Sequence, residues 1–165
     1  MRPMNQVNFR FDHPRGAILG RISEAGVSGL WLPRNRRLGE REIETPTDRA
    51  LAKALRRALE RYFNGTPEDF DGIPLDLSDG RAFRRRVWLA AREIPWGETC
   101  CYGELAQRIR SPAAARAVGQ ALGANPVPLI VPCHRVVAAD GSLGGFGAGL
   151  PWKRALLGIE GWALD

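Results

Sequence analysis

Apolar residues in the first part of the chain come in short runs. Ala17-Ile18-Leu19-Gly20-Arg21-Ile22-Ser23 and Gly29-Leu30-Trp31-Leu32 are apolar or half-alternating, with a turn signal at Glu24-Ala25-Gly26 between them. This predicts short β-strands between Val7 and Leu32. Arg34 to Glu44 is charged and shows no apolar period, as expected of a loop. After Pro46 the period becomes helical: Leu51, Leu55, Leu59 and Tyr62 fall on one face, with Thr47 expected as N-cap and Asn64-Gly65 as the stop. Thr66 to Gly80 holds two prolines, two glycines and several acids, and is expected to be a linker. Beyond it, Phe83, Val87 and Ala91 mark a helix that ends before Pro95.

Two short helical patterns follow in tandem. Tyr102 to Ile109 places Leu105 and Ile109 on one face; Ser111 as N-cap and Pro112 at the first helical position are expected to open a second helix to about Leu122. Such a pair has the outline of a helix-turn-helix. The second helix is bare, with Ala113, Ala114, Ala115, Ala117, Gly119 and Ala121 around one long polar side chain, Arg116, near its middle. The pattern predicts an α/β (α+β) fold: a small N-terminal strand-and-helix lobe, residues 1–76, joined to a mostly helical C-terminal domain, residues 77–165.

The composition narrows the function classes. At 165 residues with 44% apolar and 25% charged positions, the chain is an ordinary globular domain or two small lobes. No apolar run approaches the ~20 residues of a membrane span, and Met1-Arg2-Pro3-Met4-Asn5-Gln6 lacks a signal-peptide core, so a cytoplasmic protein with no membrane partner is expected. Three cysteines and two histidines, with no C-x-x-C pair, argue against a disulfide framework or a structural metal; no cofactor is expected. The net charge is +6, with 13 basic against 11 acidic residues before Leu77 and 11 against 7 from there on. A basic C-terminal half suits a polyanionic partner. Charge alone does not decide, because nearly all of it is arginine, a bias that genome composition also produces.

The most informative stretch is Asn125-Pro126-Val127-Pro128-Leu129-Ile130-Val131-Pro132-Cys133-His134-Arg135-Val136-Val137. Its prolines cannot donate to a sheet ladder, so it is a stiff, non-repetitive trace that delivers Cys133 beside His134. An imidazole near a thiol favours the thiolate, the nucleophilic form.

Pro132-Cys133-His134-Arg135-Val136 resembles the active-site signature of the O6-alkylguanine-DNA alkyltransferases (methylated-DNA–protein-cysteine methyltransferases). Gly97-Glu98-Thr99-x-x-Tyr102, Ala114-Ala115-Arg116-Ala117-Val118-Gly119, Asn125-Pro126-x-Pro128 and Leu156-Leu157-x-x-Glu160-Gly161 stand in that family's order and spacing. The resemblance covers roughly Phe83 to Gly161, and the N-terminal half agrees in outline. It implies direct-reversal DNA repair, in which Cys133 irreversibly takes the alkyl group from O6-alkylguanine in duplex DNA. By resemblance, His134 would receive the thiol proton through a water, Glu160 would fix the imidazole, and Tyr102 would supply a hydroxyl to the guanine ring nitrogen. Asn125 would be the hinge to the preceding helix, and backbone carbonyls at Cys133 and Val136 would read the exocyclic amine. Flipping the base would leave a gap for Arg116, with Ser111, Ala115 and Arg135 among the groups at the DNA and Phe146 and Gly147 on the pocket wall. The small residues would let the second helix enter a minor groove about 6 Å wide. The expected partner is double-stranded DNA bearing the lesion, bound by a monomer in the cytoplasm, at the nucleoid of a prokaryote; cooperative binding is left open.

Three positions depart from the family pattern. Phe146 replaces a common tyrosine, Gly147 a frequent serine, and Cys101 the usual Ser or Thr, which should impair a capping box with Glu104. Preferred alkyl size and activity on O4-alkylthymine stay open. Three rivals are weaker. A non-catalytic lesion binder would carry tryptophan in place of Cys133. A cysteine hydrolase normally draws its nucleophile and base from separate segments. A plain helix-turn-helix regulator gives no reason for Pro-Cys-His-Arg.

Overall fold

The computed structural model describes residues 7–33, 43, 45–46 and 48–163. The chain divides into two compact units, residues 1–79 and 80–165.

In the first unit, β1 (Phe9–Phe11), β2 (Ile18–Ser23) and β3 (Gly26–Trp31) form an antiparallel sheet in that order. Phe9 pairs with Gly20 and Leu19 with Trp31, and the register shifts between Arg21 and Ile22. Helix α1 (Arg49–Phe63) buries Leu51, Leu55, Ala58, Leu59 and Tyr62, the face expected from the sequence. Its N-cap is Asp48, whose carboxylate accepts the Leu51 N–H at 2.9 Å. A carboxylate at this position reaches the third helical N–H and also suits the positive end of the helix dipole. The expected cap Thr47 and most of the Arg34–Glu44 loop lie outside the described residues. The expected linker is not a free connection over its first part. Phe70 and Ile73 are buried, and the segment returns to β3 through Val27 N–H to Pro74 O (2.9 Å) and Asp76 N–H to Val27 O (3.0 Å). The Phe70 ring lies 5.8 Å from that of Tyr62 on α1, and the backbone groups around Pro74 find partners in the sheet, which outweighs the turn-rich composition. Gly26, at φ 145°, sits where a Cβ would collide with the Pro74 carbonyl.

In the second unit, α2 (Ala82–Arg92) buries Val87, Trp88 and Ala91, and its Trp88 indole donates to Ala121 O at 2.7 Å. A two-residue strand β4 (Cys100–Cys101) leads into α3 (Tyr102–Arg108), then α4 (Ala115–Gly123). After a 3₁₀ turn at Cys133–Arg135, β5 (Val136–Val137) pairs with β4 in parallel, and α5 (Leu150–Ile159) follows. Helix α4 starts later than expected, because residues 111–114 close a turn through Ala114 N–H to Ser111 O (2.9 Å). Proline's fixed φ suits the second position of such a turn as well as a helix start, and here Pro112 takes the former. Arg116 therefore lies in the first turn of α4, exposed, rather than near its middle. The capping box at α3 is geometrically present: the Glu104 carboxylate accepts the Cys101 N–H at 2.7 Å, and the Cys101 side chain faces the Glu104 N–H. Sulfur is a weak acceptor, so the second half contributes less than a hydroxyl would.

Candidate functional site

Two features bring Cys133 to its place. The backbone coils through Val131 N–H to Val127 O (2.9 Å), Cys133 N–H to Val131 O (2.8 Å) and Arg135 N–H to Pro132 O (2.9 Å). Asn125 then joins the turn to the end of α4. Its own N–H donates to Leu122 O at 3.1 Å, and its Oδ1 accepts from Val127 N–H at 3.0 Å. Its amide nitrogen donates to Val131 O at 2.9 Å and to Cys133 Sγ at 3.2 Å. Burial pushes the Cys133 thiol above its usual value, while the Asn125 amide and the Lys153 charge pull it down.

Beside the thiol lies a buried polar cluster. His134 Nε2 is 2.7 Å from Glu160 Oε1, and neither side chain is exposed. Burial lowers the His134 pKa below its ordinary 6.5, so the ring is neutral at pH 7. A neutral ring that shares Nε2 with a carboxylate must donate there, which leaves Nδ1 with the lone pair. Arg135 supplies the countercharge: its Nε contacts both Glu160 oxygens at 3.2 and 3.0 Å, Nη2 reaches Oε1 at 3.0 Å, and Nη1 donates to Ile94 O at 2.5 Å. Gly97 N–H adds a longer contact to Glu160 Oε2 at 3.4 Å. Burial alone would raise the Glu160 pKa, yet the hydrogen bonds and charges of His134 and Arg135 bring it down to about 2. With His134 neutral, Arg135 is the charge that matters at pH 7.

Arg135 is thus not at a DNA-facing surface, where it was expected; it is 1% exposed and its planar fork is engaged by Glu160. Val136 is also buried, and its carbonyl accepts from Lys153 Nζ at 2.6 Å. Tyr102, the first residue of α3, is half-buried, and its phenol meets the loop at Gly144 and Gly145: a Cβ on Gly144 would stand 2.7 Å from the Tyr102 hydroxyl. Phe146 is half-buried and Gly147 exposed on that loop, while Ser111 and Ala115 are half-buried on the α3–α4 segment with Arg116. The sequence-predicted residues therefore fall into two groups, a buried cluster around Cys133 and a more exposed set on the two-helix segment. Tyr102 touches both, since its ring lies 3.7 Å from where a Gly119 Cβ on α4 would be.

One residue of the site escaped sequence reasoning. Lys153 on α5 is fully buried and donates to Val136 O, Gly145 O (3.2 Å) and Leu143 O, pinning the glycine loop to β5. Burial lowers its pKa to about 8, against the pull of the Cys133 charge. The available signal was rarity: the chain has 24 Lys and Arg residues, of which only Lys53 and Lys153 are lysine. Among the described residues, no group of three or more His, Cys, Asp or Glu is placed to hold a metal.

A buried thiol held by an amide, next to a neutral histidine oriented by a carboxylate, on a scaffold carrying a two-helix pair, defines a cysteine-centred protein of the helix-turn-helix type. The chain's similarity to known proteins makes this specific. Residues 82–162 match the DNA-binding domain of 6-O-methylguanine DNA methyltransferase, and residues 32–77 match its ribonuclease-like domain. The methylated-DNA–protein-cysteine methyltransferase of Methanosarcina acetivorans is 41% identical over 92% of this chain and 96% of its own length. The Haemophilus influenzae protein of the same name is 54% identical over 64% of this chain, a match that spans 59% of that relative. The crystal structure of Mycobacterium tuberculosis OGT in complex with DNA superposes with a TM-score of 0.77 at 42% identity, covering 92% of this chain and 90% of that one. The chain belongs to the 6-O-methylguanine DNA methyltransferase family.

Proposed function

We propose that this protein repairs DNA by direct reversal, moving the alkyl group of O6-alkylguanine in duplex DNA onto Cys133, once per molecule. The observation that carries this reading is the Asn125–Cys133 contact at 3.2 Å, beside a His134–Glu160 pair at 2.7 Å, in a chain of this family. The thiolate sulfur bonds to the alkyl carbon as the carbon–O6 bond breaks, and the electron pair leaves with guanine. The thiol proton passes to His134 through a water, and Glu160, itself held by Arg135, stabilises the imidazolium that forms. Asn125 stabilises the thiolate, and Tyr102 donates its hydroxyl proton toward the guanine ring nitrogen, where negative charge develops.

Arg116 and the small residues of α4 approach the duplex, and Arg116 fills the stack that the flipped base vacates. Phe146 and Gly147 bound the alkyl pocket. Residues 1–76 act as a supporting lobe and 77–165 as the DNA-binding and transfer domain. A cytoplasmic, nucleoid-associated monomer fits a substrate of chromosomal DNA and three free cysteines. Among the described residues, no helix is long and apolar enough to cross a membrane.

Intact-mass measurement after incubation with an O6-methylguanine duplex, or with free O6-benzylguanine, tests the reading. The mass should rise by one alkyl unit and then stop, and Cys133→Ala should gain nothing. Turnover beyond one equivalent, or alkyl capture by Cys133→Ala, would overturn it.

A further inference from the structure

Three helices end in the same hydrogen-bond pattern. After α1, Gly65 N–H donates to Tyr62 O at 3.0 Å and Thr66 N–H to Arg61 O at 3.0 Å. After α5, Gly161 N–H donates to Gly158 O at 3.1 Å and Trp162 N–H to Leu157 O at 3.0 Å. After α3, Arg110 N–H donates to Gln107 O at 2.9 Å and Ser111 N–H to Ala106 O at 2.9 Å. In each, the residue past the C-cap is left-handed, at φ 78° for Gly65, 91° for Gly161 and 57° for Arg110. This closure favours glycine, because a Cβ in that conformation crowds the following carbonyl. Two of the three helices have glycine there. The third, at the corner that joins α3 to α4, has arginine.

The corner is otherwise well built. Arg86 of α2 donates to the Ile109 carbonyl, and the 111–114 turn follows at once. Arg110 is exposed, as are Arg108 before it and Arg116 after it, and among the described residues none of the three takes part in an ion pair. No Asp or Glu occurs between Glu104 and Asp140. A rigid corner therefore presents an uncompensated cation from a backbone conformation that its side chain makes unfavourable. Strained residues persist where they serve a function.

We propose that Arg110 is a DNA-backbone contact, its guanidinium pairing with a phosphate beside the lesion while α4 approaches the duplex. This rests on the DNA-repair reading above. Because strain and function have opposite signs here, one substitution separates them. Arg110→Gly should raise the unfolding midpoint by a few degrees, about 2–4 °C for a chain of this size. The same change should weaken binding to an O6-methylguanine duplex roughly threefold to tenfold and make the slope of log K against log[salt] shallower by about 1. Arg110→Lys, which keeps the charge, should retain most of the affinity and the full slope at unchanged stability.

Binding would be followed by fluorescence anisotropy across a salt series, with Cys133→Ala as the background for every variant so that no alkyl transfer intervenes. A more stable Arg110→Gly with unchanged affinity and slope would overturn the proposal, marking Arg110 as merely tolerated. A less stable Arg110→Gly would overturn it too, since the side chain would then support the fold. Failure of Arg110→Lys to keep the slope would do the same. If the parent protein shows no salt-dependent duplex binding at all, the DNA-repair reading fails first and takes this inference with it.

Discussion

Replacing Glu160 by Gln keeps the shape of the side chain and removes its charge, which the structure predicts will cost the fold heavily. Arg135 is 1% exposed and makes three contacts of 3.0–3.2 Å to the carboxylate, so the substitution strands a buried guanidinium beside a neutral amide. Breaking a buried pair from one side costs about 3–5 kcal/mol. The depressed Glu160 pKa, brought down to about 2, agrees in sign: the folded protein favours the charged carboxylate more than the unfolded chain does. For this chain length, about 3 kcal/mol lowers the unfolding midpoint by roughly 6–12 °C.

The sign of the pH dependence follows from the depressed pKa. The contribution is fully present above pH 4.5 and is lost as pH falls from there toward 2, because the unfolded chain then takes up the proton first. Urea unfolding of the parent and Glu160→Gln between pH 7 and pH 3 should show a constant gap near neutrality that narrows below pH 4.5. A gap under 1 kcal/mol, or one independent of pH, would refute the coupling drawn between Glu160 and Arg135. Reaction rates of the single variant must then be read well below its midpoint. The double variant Arg135→Met, Glu160→Gln removes both charges and should recover most of the lost stability. It should remain slow in alkyl transfer, since an amide does little to stabilise the His134 imidazolium. Recovery of rate together with stability would mean that the cluster only holds the turn in shape.

Two other substitutions probe the rest of the site. Arg116→Ala should slow repair in a duplex far more than reaction with free O6-benzylguanine, because base flipping costs a few kcal/mol and only the duplex needs it; equal losses in single-turnover rates would make Arg116 structural. Lys153→Met removes a cation that pulls the Cys133 thiol down, so the pH profile of Cys133 alkylation by iodoacetamide should move to higher pH, and an unchanged profile would dissociate Lys153 from the thiol.

The parts of this molecule that were legible in its sequence are those that local rules decide. The apolar period of Leu51, Leu55, Leu59 and Tyr62 needs only its own helix and a face to bury, and the same holds for the 18–23 strand; the run Gly29 to Leu32 marked only the later part of its strand, which starts at Gly26, expected in the turn, where it pairs with Ser23. Pro112 was ambiguous for a physical reason: one fixed φ serves both a helix start and a turn, and the Ala114 N–H to Ser111 O bond that decides between them lies beyond the proline itself. The Cys133–His134 pairing was visible because the two are covalent neighbours, and Asn125 and Glu160 came from the family pattern. Arg135 and Lys153 were not legible, because charged residues are almost never fully buried unless paired, and their partners stand 25 and 17 residues away. These two exceptions lie within the second unit, together with the left-handed Arg110 and the cysteine at the N-cap of α3. A fold selected only for stability would replace each with something easier: an apolar pair, a glycine, a serine. Found beside one thiol and at one two-helix corner, they are what a chemical task leaves behind when it competes with packing.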